Sequence, residues 1–329
     1  MAKKVTVRDV AAAAGVSVST ASRVLSGVTT VNPEMARRVL RASQSLGYTA
    51  NPLARALRTR RTDSVGMVVP SISNSYFVSA VEAVEQALAE QGRSLILCDA
   101  RESVATEAER LEVLVQRMVD GLVVVPVTAQ DSVPALAAAA EQVPVVLFDR
   151  WADCPRTDFV GTDNREGMRQ IVQHLRSLGV EEVVYVGAEP LTSTADERLS
   201  AFRDLVGVRA RTLLGTFTAE WGERAARELL AGGRLPGAVV CGADVIAFAL
   251  QSTLQNSGVR VPEDVRVASF DGSVLSQLSV PRITSVRQPV ETMAAEAVRL
   301  LEARREQRER PASKAVFAPA LLVGASTAT

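Results

Sequence analysis

Two sets of residues carry chemistry by their types and spacing. The first lies near the start, where Val18, Ser19, Ser22 and Arg23 share one face of a short helical pattern whose other face holds Ala21, Val24 and Leu25. An arginine so placed donates in bidentate fashion to O6 and N7 of a guanine, and a valine meets a thymine methyl, so this face has the means to read base edges. The second set follows short apolar runs much later: Asn74, Tyr76 and Phe77, then Asp149-Arg150-Trp151, then Asp271-Gly272, with Arg198, Phe217, Trp221 and Asp244 nearby. Carboxylates accept from hydroxyls and arginine donates in a fork. Polar groups at strand ends are ordinary loop chemistry, so their types matter more than their positions. In a chain with only 4% aromatic residues, this set has the make-up of a pocket that stacks on a ring and bonds its hydroxyls.

Catalysis finds little support. No Gly-x-Gly-x-x-Gly follows a strand-like run, and neither a phosphate-binding Gly-x-x-x-x-Gly-Lys nor a Gly-x-Ser-x-Gly elbow occurs. The single histidine, His174, sits inside an amphipathic pattern after Glu166 and reads as a packing or surface residue, not a general base. Cys98, Cys154 and Cys241 are too few and too scattered for a disulfide framework or a zinc site, so neither metal nor cofactor is expected. No run of about 18 uncharged apolar residues exists to span a membrane. The first residues lead into Arg8 and Asp9 instead of an apolar segment, which disfavours a secretory signal and favours a cytoplasmic protein.

The elements that must position these residues differ between the ends of the chain. Its 329 residues suggest two domains at roughly 150 residues each. The formal net charge of zero hides an asymmetry: residues 1–62 hold eleven bases against Asp9 and Glu34, a net +9, and the remainder carries −9. A basic head on an acidic body points the head towards a polyanion. Thr6 and Asp9 form a capping-box pattern ahead of Val10 to Ala14, Gly15 ends that helix, and Ser17 caps a second one. Two short helices around a Gly-containing turn make a helix-turn-helix, whose second helix enters the major groove by its N-terminal end. Asn32 and Pro33 open a third helix, with Met35, Val39 and Leu46 as its apolar wall and Gly47 at its end. Asn51-Pro52 opens a short basic helix with Leu53 and Leu57 at i, i+4, too short to be stable unless DNA or a second copy packs on it.

From Ser64 onward, β-branched runs at 65–69, 94–97, 122–125, 143–148, 183–186, 238–240 and 265–270 alternate with amphipathic helical patterns at 77–90, 105–119, 166–178 and 244–257. Repeated βα units imply doubly wound parallel sheets covered on both faces, and this length suggests two lobes. Ligands of such sheets bind at the carboxyl ends of the strands, where the second residue set lies.

The run from Val5-Thr6-Val7-Arg8-Asp9-Val10-Ala11 through Gly15-Val16-Ser17-Val18-Ser19-Thr20-Ala21-Ser22-Arg23-Val24-Leu25, with Leu46-Gly47-Tyr48 and Asn51-Pro52-Leu53-Ala54-Arg55-Ala56-Leu57, resembles the lactose/galactose repressor family. The likeness continues in the body through Phe148-Asp149-Arg150, Asp163-Asn164-Arg165-Glu166-Gly167, Glu197-Arg198, Ala243-Asp244, Ser269-Phe270-Asp271 and Arg287-Gln288-Pro289, covering nearly the whole chain. One departure is Gly179-Val180, where the family commonly has Gly-His. The resemblance implies a helix-turn-helix domain over 1–49, a hinge helix and linker over 50–62, and an effector and dimerisation domain over 63–329. That domain would have the two-lobed fold of periplasmic sugar-binding proteins, with one lobe near 63–160 and 290–317 and the other near 161–289 and 318–329.

It further implies base reading by Val18, Ser19 and Arg23, a minor-groove wedge at Leu57, and DNA contacts from Thr6, Ser17, Thr20, Ser22, Asn32, Tyr48, Asn51, Leu53, Ala54, Arg55 and Arg58. Asp149, Arg198 and Asp271 are the implied polar effector groups, Phe77, Phe217 and Trp221 the stacking ones, with Asn74, Tyr76, Arg150 and Asp244 around them. The chain stops soon after Leu322 without a leucine-heptad tail, so a homodimer on a near-palindromic operator is expected. A sugar-binding transport component would share the body but need export and no basic head, and an α/β enzyme is the remaining rival.

Overall fold

The computed structural model describes residues 5–25, 31–48, 61–208 and 210–328. The chain divides into a unit over Met1–Thr62 and a unit over Asp63–Thr329. The hinge residues Asn51, Leu53, Ala54, Arg55, Leu57 and Arg58 lie outside the described residues.

Local capping chemistry builds the first unit. The Thr6 and Asp9 side chains close a reciprocal box at the start of α1 (Val7–Ala14), and Gly15 ends it in the left-handed region at φ 60°. Ser17 Oγ accepts from the Thr20 amide at 3.1 Å at the start of α2 (Val18–Leu25). Asn32 Oδ1 accepts from the Glu34 amide at 2.8 Å and opens α3 (Pro33–Ser45). The three helices close over Val10, Ala11, Ala14, Ala21, Val24, Val39 and Ala42.

Met35 and Leu46, expected in that wall, are exposed instead. The eight residues of α1 and of α2 cannot cover a helix of 13, which at 1.5 Å per residue is about 20 Å long. Only the middle of α3, at Val39 and Ala42, is therefore buried. Arg38, one of the eleven bases, serves the fold: its Nη2 donates to the carbonyls of Ala14 at 2.5 Å and Gly15 at 3.3 Å, closing the end of α1. A Cβ on Gly15 would stand 2.5 Å from that same nitrogen. Gly15→Ala is expected to destabilise this unit by about 1 kcal/mol, seen as faster amide hydrogen exchange in α1; unchanged protection there would refute this role of the turn.

In the second unit, apolar runs between helices become two parallel sheets. One reads, edge to edge, Lys314–Phe317, Thr157–Thr162, Val145–Phe148, Leu122–Val124, Ser64–Val69 and Ser94–Asp99. The other reads Ala320–Leu322, Thr284–Arg287, Arg266–Asp271, Ala238–Cys241, Val183–Ala188 and Thr212–Gly215, and only Ala320–Leu322 runs antiparallel to its neighbour. Each sheet has an apolar layer on both faces: Val65, Met67 and Val69 face one cluster of the first lobe while Val68 faces another. The chain passes between the sheets after Thr162, after Arg287 and after Phe317. The fourth run starts at Val145, not Val143, because Pro144 has no amide to give the ladder.

The helix Val290–Glu306 returns to the first lobe and is fixed there by charge. Arg304, 2% exposed, donates to both oxygens of fully buried Asp158 at 2.7 and 3.0 Å, and Arg310 adds a third bond at 2.5 Å.

Candidate functional site

In the first unit, Ser17, Val18, Ser19 and Arg23 are exposed and Thr20 and Ser22 half-buried, while Ala21 and Val24 hold the helix to the core. Val18 is 46% exposed at the N-terminal end of α2, where its apolar side chain is available to a thymine methyl. Ser17 Oγ lies within hydrogen-bond distance of both Ser19 Oγ and Thr20 Oγ1, at 2.9 and 2.8 Å, which fixes the hydroxyls at the helix mouth. Thr6 and Asn32 point their side chains at helix ends as caps, and Tyr48 packs partly on the core.

In the second unit, strand ends from both lobes meet, and the expected effector residues gather there. Asp149 follows the strand Val145–Phe148 of the first lobe, and Asp271 ends the strand Arg266–Asp271 of the second. Both have positive φ, 62° and 112°, so each carboxylate is held in a backbone conformation that non-glycine residues rarely adopt. Gly272 after Asp271 sits at φ 65°, and a Cβ there would meet the Arg287 Cα at 2.5 Å, so only glycine turns the chain here.

A chain of hydrogen bonds joins the two carboxylates across the lobes. Tyr76 Oη is 2.9 Å from Asp149 Oδ1 and 3.1 Å from Gln288 Oε1; Gln288 Nε2 donates to Asp271 Oδ1 at 3.0 Å; Arg198 Nη1 reaches the same oxygen at 3.3 Å and the Gly242 carbonyl at 2.7 Å. The Arg198 guanidinium also lies 3.8 Å from the ring centroid of Phe270. Arg150, 3% exposed, sits 5.3 Å from the Phe77 ring of one lobe and 5.4 Å from the Phe217 ring of the other.

Burial dominates the electrostatics. Burial pushes Asp271 up to about 7 despite Arg198 pulling it down, with Asp244 and Asp149 adding to the rise. It raises Asp149 against the pull of Arg198 and Arg150, and raises the Tyr76 hydroxyl well above its usual range. It also lowers Arg150, against the pull of the Asp149 carboxylate. A buried site holding two carboxylates and two guanidiniums can fix the orientation of a polar, uncharged guest through many directed bonds.

Three of the expected site residues are engaged by the protein itself. Trp221 belongs to the core of the second lobe, donating from Nε1 to the Gly187 carbonyl at 2.9 Å. Asp244 accepts from the Ser273 amide at 2.6 Å and the Ser285 hydroxyl at 2.7 Å, which pins the loop after Asp271. Asn74 accepts from the Tyr76 amide at 3.0 Å as a helix cap. Gln288 stands in a motif quoted above but not among the expected effector residues, because the strand before it, Thr284–Arg287, is short and polar. Among the described residues no group of three or more His, Cys, Asp or Glu is placed to hold a metal ion, and no helix is long and apolar enough to cross a membrane.

Comparison with known proteins matches residues 6–51 to the model for bacterial regulatory proteins of the lacI family and residues 172–327 to a periplasmic binding protein-like domain. The transcriptional regulator GalR of Escherichia coli is 33% identical over 331 residues, 98% of this chain and 96% of the relative. The repressor PurR of Pasteurella multocida is 33% identical over 303 residues, 90% of each chain. The chain belongs to the lacI family. Among solved structures, a complex of the transcriptional regulator CelR with cellobiose is 32% identical with a TM-score of 0.72, covering 98% of this chain and 99% of that one. The lac repressor dimer bound to operator and an anti-inducer has a TM-score of 0.85 at 22% identity, covering 99% of this chain and all of that one, a likeness of fold alone.

As a lacI-family protein the chain is a helix-turn-helix transcription regulator that binds DNA, and not an enzyme. The α/β unit with two parallel sheets is the family's second domain.

Proposed function

We propose that this regulator is a cytoplasmic homodimeric repressor whose affinity for a near-palindromic operator is set by a neutral, polyhydroxylated effector held between the two lobes. The carrying observation is the hydrogen-bonded set Asp149, Tyr76, Gln288, Asp271 and Arg198, flanked by Phe77 and Phe217 from opposite lobes. Carboxylates and amides suit vicinal hydroxyls, and aromatic faces suit the C–H groups of a sugar ring. A doubly charged phosphate would need more cation than Arg198 and Arg150 supply beside two carboxylates. The cellobiose complex of a 32% identical regulator supports the same class. The test is operator affinity across a titration of sugars, sugar phosphates and nucleobases: release by a neutral sugar is expected, and release only by an anion or a base would overturn the reading.

Apolar surface supports the dimer. Ile72, Val78 and Leu97 are 50%, 53% and 42% exposed on the first lobe, and Phe248, Leu278 and Val280 are 41%, 76% and 82% exposed on the second. Ser94–Asp99, which carries Leu97, is an edge strand of its sheet and offers a ladder for pairing. Sedimentation equilibrium is expected to show a dimer without DNA; a monomer at micromolar concentration would contradict it.

For operator reading, Arg23→Ala is expected to cost about 1–3 kcal/mol on the specific site and much less on random duplex, as befits a bidentate base contact. Equal losses on both, in filter-binding at fixed salt, would show that Arg23 contacts only phosphate.

A further inference from the structure

Arg198 is tied to more than the pocket. Its Nε donates to Asn164 Oδ1 at 2.8 Å, and Asn164 Nδ2 donates to Glu197 Oε2 at 2.7 Å. The other oxygen of Glu197 accepts from the indole Nε1 of Trp151 at 3.3 Å. Trp151 belongs to the first lobe, two residues past Asp149, whereas Glu197 and Asn164 belong to helices of the second. The Trp151 amide also donates to Ser193 Oγ at 2.9 Å, so two bonds from one residue cross between the lobes. Asn164 opens the helix that follows the first crossover, and Asp163 beside it donates its amide to the Phe317 carbonyl at the third crossover.

The geometry has a consequence for control of the lobes. One carboxylate, half-buried Glu197, holds Trp151 by one oxygen and the pocket arginine, through Asn164, by the other. A carboxylate has acceptor capacity for both donors at once, one at each oxygen, so a single planar group ties the position of one donor to that of the other. A change at Arg198 is therefore transmitted to a contact between lobes without passing through the ligand.

We propose that Glu197 and Asn164 are positioning residues that couple the state of Arg198 to closure of the lobes, with Trp151 as the latch they hold. The inference rests on the reading that the cleft between lobes takes the effector. It adds a path from the pocket to a latch between the lobes, through residues outside the set proposed to hold the effector. Trp151, 38% exposed with Lys314 Nζ 5.2 Å from its ring, reports the latch directly.

The chain has two tryptophans, so the full-length protein labelled with 5-fluorotryptophan gives two fluorine resonances, assigned by Trp151→Phe. Asn164→Ala removes a partner of Glu197 and of Arg198 but no partner of Trp151. It is expected to shift the Trp151 resonance and increase its solvent isotope shift, leaving that of buried Trp221 in place. Because Asn164 is buried and its loss could unsettle the fold, Glu197→Gln at a half-exposed position serves as the second variant, with the same increase in solvent exposure of Trp151 and an unchanged thermal midpoint. A Trp151 resonance with wild-type solvent exposure in both variants overturns the proposal.

A calorimetric arm uses cellobiose, maltose and D-galactose as probes. Any of them that binds wild type should bind Glu197→Gln about five- to ten-fold more weakly, the size of a modest coupling between sites; an unchanged Kd overturns the coupling. If none binds wild type, the sugar reading of the cleft fails while the fluorine measurement still decides the latch.

Discussion

Arg198→Ala is expected to leave operator affinity flat across an effector titration that releases the wild-type protein. Arg198 is 2% exposed, and its cation is the main charge holding down the buried carboxyl of Asp271. Removing one member of a buried ion pair typically costs about 3–5 kcal/mol, because the other member stays behind uncompensated. Allosteric coupling energies are about 1–3 kcal/mol, so the loss exceeds what the effector has available to shift the lobes. The Gly242 carbonyl and Asn164 Oδ1 lose their donors in the same change, which adds unpaired polar groups to the cleft wall. Effector affinity should fall by two orders of magnitude or more, about 3 kcal/mol, and the effector unit should melt at lower temperature. Asp271 responds by holding its proton more tightly, which softens the loss of stability but does not restore a fork of donors. Measured by operator binding at several effector concentrations, a variant that responds as wild type does would remove Arg198 from the recognition set.

Much of this arrangement was legible in the sequence, for physical reasons that also explain what was not. Caps are local, so Thr6, Ser17 and Asn32 announced the three helices of the first unit from a few neighbouring residues. Strands buried on both faces are apolar throughout, so Val65–Val69 or Val145–Phe148 stood out as runs. Edge and polar strands did not. Lys314–Phe317 alternates exposed and half-buried residues, and Thr157–Thr162 carries Asp158, whose charge is acceptable in a strand only because Arg304 and Arg310 arrive from the end of the chain.

The same contrast holds in the cleft. Asp149 and Asp271 follow from the rule that parallel sheets present ligand groups at the carboxyl ends of strands. Gln288 obeys that rule, yet its strand, Thr284–Arg287, is short and polar. Of the two aromatics at the start of the helix Ala219–Ala231, half-buried Phe217 reaches the Arg150 guanidinium and Trp221 is absorbed by the core, a choice made by packing and not by residue type. The tie between Arg198 and Trp151 depends on partners 34 and 46 residues apart in the chain, which no local pattern encodes.

The stability of the effector unit is expected to fall as pH rises from about 4 to about 7, and Asp271 is the reason. Its folded carboxyl is pushed up to about 7 by burial, whereas an aspartate in an unfolded chain titrates near 3.9. Below both values the group is protonated in either state and contributes no slope. Between them the folded state keeps the proton that the unfolded state has released, so the unfolded form gains with each rise in pH. Above about 7 both are charged and the slope ends. The full span of roughly three pH units corresponds to about 4 kcal/mol.

Asp149 and Asp244 are also raised by burial and act in the same direction, while exposed Asp264, held down to about 2 by Arg260, acts in the opposite one at lower pH. Asp271→Asn removes the slope nearest neutrality. An effector whose hydroxyls donate to this carboxyl favours its charged form, so binding near pH 7 should release protons. Denaturant unfolding between pH 5 and 8, with calorimetric titrations in buffers of differing ionisation enthalpy, reads both effects. Stability that is level or rising over this range in wild type, or proton uptake on binding, would mean that Asp271 is already ionised in the empty cleft and that the guest meets a fixed charge instead of creating one.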